Sequence, residues 1–353
     1  MNVNFKTIFY EELIDTNSEY KKTAEETISK FPNAKIIKVK SHNKIKELYE
    51  INPQEWIKSK KDYLVLGIKK DLKHQANTKS SDFIAASHTT GCLASCQYCY
   101  VARNSGGSNV AKSYVNIKEI TNSIDSHQKE IGKKTISNQQ DSDFWVYDIG
   151  CNNDNSLDAF YSNNSVNLIN AFAEMKNAKA SFATKFVNEE AWLSVDPKGK
   201  TRIRYSLMPQ EVSKYVDIRT SPISDRIKSM NNLVDAGYEV HANFSPVIVY
   251  GGDQWAKDWK KLWEEMNDVL NQKVKNQLKS EVIFLTHSQK LHELNMEWNP
   301  KGEEFLFGQI HQHEKYNKPD VLVYDYAEKK KLVERFTNGM NKYIPYCKIR
   351  YIF

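Results

Sequence analysis

From residue 82 onward, short apolar runs alternate with amphipathic stretches in a steady rhythm. Residues 82–88 read as a strand, and 116–131 carry helical spacing. Phe144-Trp145-Val146-Tyr147-Asp148-Ile149 reads as a second strand, ending at Gly150-Cys151. A helix follows over 156–175, with Leu157, Phe160, Val166, Leu168, Ile169 and Phe172 on its apolar face. Strands are expected over 180–186, 201–207, 239–247 and 281–286. Helices are expected between them over 189–195, 223–236 and 255–270, with Gly237 suited to a C-cap. Six strand–helix repeats predict parallel strands joined by right-handed crossovers. The fold class is therefore α/β, with a partial, open (β/α)6 barrel over 82–290.

The flanks break this rhythm. Residues 10–31 are polar and predict a helix, 34–39 a strand and 44–49 a short helix. Tyr63-Leu64-Val65-Leu66-Gly67-Ile68 is a compact apolar run and predicts a buried strand. Residues 1–81 thus form a small α/β appendage, with 70–81 as loop. In the tail, 291–353, a strand over 320–326, a helix over 327–343 and a strand over 347–353 predict an α+β extension.

Composition narrows the class. Hydrophobic residues at 40% support a proper core. No apolar run approaches the roughly 18 residues of a membrane span, and Met1-Asn2-Val3-Asn4-Phe5-Lys6 lacks the apolar segment of a secretory signal. A cytoplasmic protein with no membrane partner is expected. The net charge of +6 is mild and suits a polyanionic partner without requiring one. Lys58, Lys60, Lys61, Lys69, Lys70 and Lys73 flank the 63–68 strand and are candidates for nucleic-acid backbone contacts. Lys257, Lys260, Lys261, Lys273, Lys275 and Lys279 interleave with acids and read as a solvated helix face. Arg202, Arg204, Arg219 and Arg226 cluster around the 201–207 strand, as phosphate contacts or as surface ion pairs.

The chemistry concentrates in Gly91-Cys92-Leu93-Ala94-Ser95-Cys96-Gln97-Tyr98-Cys99-Tyr100, where three of five cysteines are spaced C-x3-C-x2-C. Three thiolates on so short a loop suit a [4Fe–4S] cluster with one iron left open. A zinc site is the alternative, because His88 precedes Cys92 closely, although no second cysteine pair is present to complete the usual knuckle. Sparse, odd-numbered cysteines argue against a disulfide framework and for a reducing compartment.

In βα barrels the reactive groups collect where the strands end. That rule puts the cysteine loop, Cys151, Lys185 and Ser206 at one mouth. Cys151 lies outside the triad, and its weak S–H bond suits it to hand a hydrogen atom to a carbon radical. A small buried hydrophobe is the plainer reading. Cys347, on the last strand, reads as structural.

Several separated stretches resemble the spore photoproduct lyase family of radical SAM enzymes. They are Gly91–Tyr100 as quoted above, Cys151, Phe182-Ala183-Thr184-Lys185, Gly199-Lys200-Thr201-Arg202-Ile203-Arg204-Tyr205-Ser206, Asp235-Ala236-Gly237-Tyr238 and the Pro246 region. The resemblance covers about residues 80–290. It implies repair of a UV-induced thymine photoproduct in DNA by carbon–carbon lysis. A 5′-deoxyadenosyl radical takes a hydrogen from the lesion, the bridge between the bases fragments, and a cysteine returns a hydrogen atom. By that resemblance Cys92, Cys96 and Cys99 ligate the [4Fe–4S] cluster, and Cys151 is the hydrogen donor, with Tyr98 and Tyr100 as relays. Lys185, Ser206 and Asn153 would hold S-adenosyl-L-methionine. DNA carrying the photoproduct and an electron donor such as flavodoxin or ferredoxin are the implied partners. Two departures stand out. Asn152-Asn153-Asp154 replaces the family's Thr-Ser-Asp. Asp320-Val321-Leu322-Val323-Tyr324-Asp325-Tyr326 stands where a glycine-rich basic hairpin is expected, and it predicts no such hairpin. The same chemistry on another nucleic-acid or small-molecule substrate is the second reading. A nucleic-acid-binding protein with a structural metal is the third.

Overall fold

Thr7–Glu11 is a strand (β1), inside a region whose polarity predicts a helix from residue 10. Ile8, Phe9 and Tyr10 are buried, so this short apolar run joins a sheet. After a short 3-10 helix, Glu12–Thr16, the α-helix begins at Ser18–Ile28 (α1), where the Asn17 side chain caps it by accepting from the N–H groups of Glu19 and Tyr20. The computed structural model describes residues 3–99, 101, 109–307, 313–315 and 318–353. They form two units: Met1–Leu93, Asn104–Ile203 and Ala236–Glu239 in one, and Ala94–Arg103, Arg204–Asp235 and Val240–Phe353 in the other.

In the first unit, Lys35–Val39 (β2) and Tyr63–Gly67 (β3) flank β1 in parallel. Phe9, Val65, Ile45, Leu48, Trp56 and Val110 form the core beside them. Two short strands follow, Gln75–Ala76 (β4) and Phe83–Ile84 (β5). The strand expected over 82–88 is therefore two residues long. Thr89–Thr90 (β6) then leaves for the N-terminal sheet, pairing antiparallel with Ala111–Tyr114 (β7), which lies parallel to β3.

Ile117–Ile131 (α2) buries Ile117, Ile120, Ile124 and Gln128, a spacing of three and four that keeps one face inward. Trp145–Ile149 (β8) lies parallel to β5 and to Ala178–Thr184 (β9), with Ile149 opposite Phe182. The helix expected over 156–175 is split into a turn, Asn155–Asp158, and Asn164–Glu174 (α3). The buried Asp158 carboxylate accepts from the Ser162 hydroxyl at 2.7 Å and the Ser165 N–H at 3.3 Å, a side-chain alternative to the helical ladder. The boundary between the units falls inside Thr201–Leu207 (β10).

The second unit contains Gln210–Val216 (α4), Ile223–Asp235 (α5), most of Glu239–Val247 (β11), Gln254–Val269 (α6) and Lys279–Phe284 (β12). Gln289–Trp298 (α7) and Pro300–Leu306 (α8) follow as two short helices that the sequence pattern did not reveal. Then come His313–Lys315 (β13), Lys318–Val323 (β14), Tyr326–Tyr343 (α9) and Lys348–Ile352 (β15). Strand β12 runs parallel to both β11 and β15. The core centres on Phe336 of α9, whose ring meets Trp259 at 4.9 Å and Trp263 at 5.1 Å. Strands β13 and β14 pair antiparallel, so a hairpin does form in the tail. Pro319 conceals it in the sequence, yet an edge strand tolerates proline. Among the described residues no helix is long and apolar enough to cross a membrane.

Candidate active site

The cysteine loop is fixed residue by residue. Gly91 has φ +77°, and a Cβ there would lie 1.9 Å from the Val110 carbonyl oxygen, so only glycine fits. The next residue, Cys92, donates its N–H to the Asn109 carbonyl at 3.3 Å. In the second unit, Ser95 and Gln97 donate N–H groups to the carbonyls of Ile218 and Val216, at 3.2 and 3.0 Å. Cys99 donates to the Cys96 carbonyl at 3.0 Å, closing a turn between two of the thiols. None of the five cysteines is in a disulfide.

Gln97 is the anchor that sequence reasoning missed. It is fully buried. Its amide donates to the Asn299 carbonyl at 2.8 Å and accepts from the Asn299 side chain at 3.1 Å. Its own carbonyl accepts from Asn295 at 2.9 Å. Asn295 and Asn299 belong to the α7–α8 hairpin, some 200 residues away in sequence, so no local signal announces them.

Tyr98 hydrogen-bonds its hydroxyl to the Asp217 carboxylate. Burial first, and that carboxylate second, push the phenol well above its ordinary pKa. Asp217 pairs with Arg226 at 3.2 Å, and Arg226 also donates to the Ser206 carbonyl at 2.7 Å and the Thr220 hydroxyl at 2.7 Å. Arg226 is fully buried, so it is neither a surface ion pair nor a phosphate contact. It joins the tyrosine of the cysteine loop to the end of β10. Arg202 and Arg204 are buried as well, paired with Glu239 and Glu281 at 3.0 Å each. Arg219 is half-buried and donates to Ser95 at 2.9 Å. Tyr100 lies outside the described residues.

In the first unit the parallel pair β8 and β9 carries two candidates to one end. Cys151 follows β8 directly and is exposed. Lys185 follows β9 and is half-buried. Asp154 organises the turn between them. It accepts from Ser156 and Leu157 N–H at 3.1 Å each, from the Thr184 hydroxyl at 2.7 Å and from the Lys185 N–H at 2.7 Å. Burial raises the Asp154 pKa despite these donors. Asn153 turns inward. Oriented to satisfy both groups, its amide donates to the Gly150 carbonyl at 2.8 Å and accepts from the Asp154 N–H at 3.3 Å. A Cβ at Gly150 (φ +78°) would lie 2.2 Å from that side chain, which explains the glycine before Cys151.

His88, the alternative zinc ligand, is buried with its Nε2 3.4 Å from Asp158. Cys347 is buried, and burial pushes its thiol up to about 12. Lys60 is buried against Asn109 at 3.1 Å, while Lys58, Lys61, Lys70 and Lys73 are exposed. In the second lysine group, Lys260 and Lys261 pair with Glu264 and Asp258 at 3.6 and 2.9 Å.

Comparison with known proteins bears on this arrangement as a whole. The profile of the spore photoproduct lyase family matches residues 8–353. The spore photoproduct lyase of Bacillus subtilis (strain 168) is 27% identical over 230 residues, covering 65% of this chain and 64% of that protein. The match thus spans a little under two thirds of that relative. The lyase of Clostridium acetobutylicum is 27% identical over 300 residues, covering 83% of each. Among solved structures, a spore photoproduct lyase variant with bound AdoMet and dinucleoside spore photoproduct superposes with a TM-score of 0.87 at 19% identity, covering all of both chains. A spore photoproduct lyase complexed with dinucleoside spore photoproduct gives 0.86 at 20% identity, again over both whole chains. The fold is accordingly α/β, a partial, open barrel with an N-terminal α/β appendage and a C-terminal α+β extension. From the match over residues 8–353, the chain belongs to the spore photoproduct lyase family.

Proposed function

We propose that this chain is a radical SAM lyase that returns a UV-induced thymine photoproduct in DNA to two thymines. The observation that carries the reading is the pairing of a C-x3-C-x2-C loop with a second, exposed thiol at a strand end, Cys151, in a chain of this family. The donor set suits a [4Fe–4S] cluster. Three thiols lie within eight residues, none in a disulfide, on a backbone pinned by Asn109, Val216 and Ile218. When bound, that cluster with S-adenosyl-L-methionine supplies a 5′-deoxyadenosyl radical. Cys92, Cys96 and Cys99 would hold the cluster.

The remaining roles fall to this chain's own groups. Cys151 gives its S–H hydrogen atom to the thymine carbon radical: the S–H bond breaks, a C–H bond forms, and a thiyl radical stays on the protein. Exposure lets the substrate reach it. Tyr98 and Tyr100 are the relay candidates, with the Tyr98 hydroxyl held by Asp217. Lys185 and Ser206 would contact the S-adenosyl-L-methionine. Asn153 would do so only by giving up both hydrogen bonds inside its own turn. DNA carrying the lesion is the partner. A flavodoxin- or ferredoxin-type donor supplies electrons, and the reaction belongs to the cytoplasm.

The test is anaerobic. Reconstituted protein, a reductant and S-adenosyl-L-methionine are incubated with photoproduct-bearing DNA, and thymine recovery is measured beside 5′-deoxyadenosine release. Recovery supports the reading. Cofactor cleavage without any thymine recovery rejects it in favour of another substrate.

A further inference from the structure

We propose that His287, His292 and Glu303 bind one divalent transition-metal ion of the zinc class, and that this ion locks the α7–α8 hairpin that clamps the cysteine loop. Among the described residues these three place one donor atom each within 4.8 Å of one another. The Glu303 carboxylate is the hub. One of its oxygens lies 2.9 Å from His287 Nε2 and 2.7 Å from His292 Nδ1. Its other oxygen accepts from Asn295 at 2.5 Å. Tetrahedral zinc with two imidazoles and a carboxylate, at bond lengths of about 2.0–2.2 Å, needs donors about 3.3 Å apart. Side-chain adjustments on the ångström scale suffice.

Each partner is held as a ligand must be. His287 follows β12, at the end where barrel loops carry function. Its backbone is tied both ways to Leu322, at 3.0 and 2.8 Å. His292 is stacked on Phe307, with ring centroids 3.5 Å apart. Asn295 fixes the carboxylate orientation through the oxygen left over, the supporting role that metal-site neighbours usually play. His287 is fully buried, and its Nδ1 makes no hydrogen bond, so nothing on the far side of the ring fixes the tautomer against a bare, metal-binding Nε2. Burial raises the Glu303 pKa, but His287 and then His292 outweigh it and hold the carboxyl below its ordinary range. An anion between two imidazoles is the charge arrangement that a dication completes. Half-burial of His292 leaves a solvent route to the open fourth position.

The consequence reaches the cysteine loop. Asn295 contacts both Glu303 and the Gln97 carbonyl, and α8 also carries Gly302, which packs against the Gln97 amide. A metal on one side of the hairpin stiffens the clamp on the other.

The experiment uses the full chain with Cys92→Ala, Cys96→Ala and Cys99→Ala, so that the loop cannot take up the probe. Zn2+ and Co2+ salts are the probes. The expected results are about one Zn2+ per chain retained on dialysis, a visible tetrahedral Co2+ absorption, and a Tm raised by Zn2+. Adding His292→Ala or Glu303→Gln should weaken binding at least about tenfold and abolish the Tm shift. His292→Ala changes a half-buried position, so it serves if Glu303→Gln fails to fold. No retained metal and no Tm shift in the cysteine-free chain would overturn the proposal, leaving a hydrogen-bonded trio only. Undiminished binding in His292→Ala would overturn it equally, placing the metal elsewhere.

Discussion

Gly302→Ala sets two effects of opposite sign against each other. Gly302 sits inside α8, where alanine is favoured over glycine by about 1 kcal/mol. Propensity alone therefore predicts stabilisation. The geometry predicts the reverse. An alanine Cβ would lie 1.5 Å from Gln97 Oε1 and 2.5 Å from its Cδ. Gln97 is fully buried and cannot swing into solvent. Displacing it breaks the two amide bonds to Asn299, of 2.8 and 3.1 Å. Each is worth about 1 kcal/mol net, and stranding the buried amide adds roughly 1–3 kcal/mol more. The expected balance is a loss of about 2–4 kcal/mol after the helix gain is subtracted. Urea unfolding of the cluster-free protein measures it. Because Gln97 lies between Cys96 and Cys99, iron content after anaerobic reconstitution should fall as well. A variant that is more stable than the parent and loads iron normally would refute the clamp.

Three other outcomes follow from buried groups. Burial lowers the Lys112 pKa to about 8, against 10.5 ordinarily, so the unfolded chain binds more protons between those values and stability rises as pH climbs through that window. Lys112→Met should therefore be the more stable protein at pH 7, by on the order of 3 kcal/mol, with the gap closing above about pH 10 in urea titrations. Asp217→Asn leaves Arg226 buried without its carboxylate and should cost about 3–5 kcal/mol of unfolding free energy; a change below 1 kcal/mol would deny the ion pair its role. In thiol labelling of the cluster-free protein at pH 8, Cys151 should be alkylated quickly, while Cys347, with a pKa near 12, should react only on unfolding, as read by peptide mass spectrometry.

The barrel was legible because its strands place apolar residues at every second position, as in Ile203, Tyr205, Leu207 and Val240, Ala242, Phe244: 201–207 and 239–247 are residue-for-residue β10 and β11. The cysteine loop was legible because its spacing is local. What stayed hidden depends on distant partners. Thr7–Glu11 becomes a strand only by pairing with β2 and β3. Helix 156–175 breaks because Asp158 offers side-chain acceptance. Arg226 reads as a surface cation until Asp217, Ser206 and Thr220 surround it. The Gln97 clamp joins residues 202 apart, and no periodicity encodes that.

Deuterium incorporation tests the central claim most directly. The Cys151 thiol is exposed, so its proton exchanges with solvent. Repair of the photoproduct in D2O should then place one deuterium in one of the two recovered thymines, detected by mass spectrometry. Cys151→Ala should still release 5′-deoxyadenosine yet lose that labelled product. Undeuterated thymine from the wild-type chain, or full labelled yield from Cys151→Ala, would contradict the account.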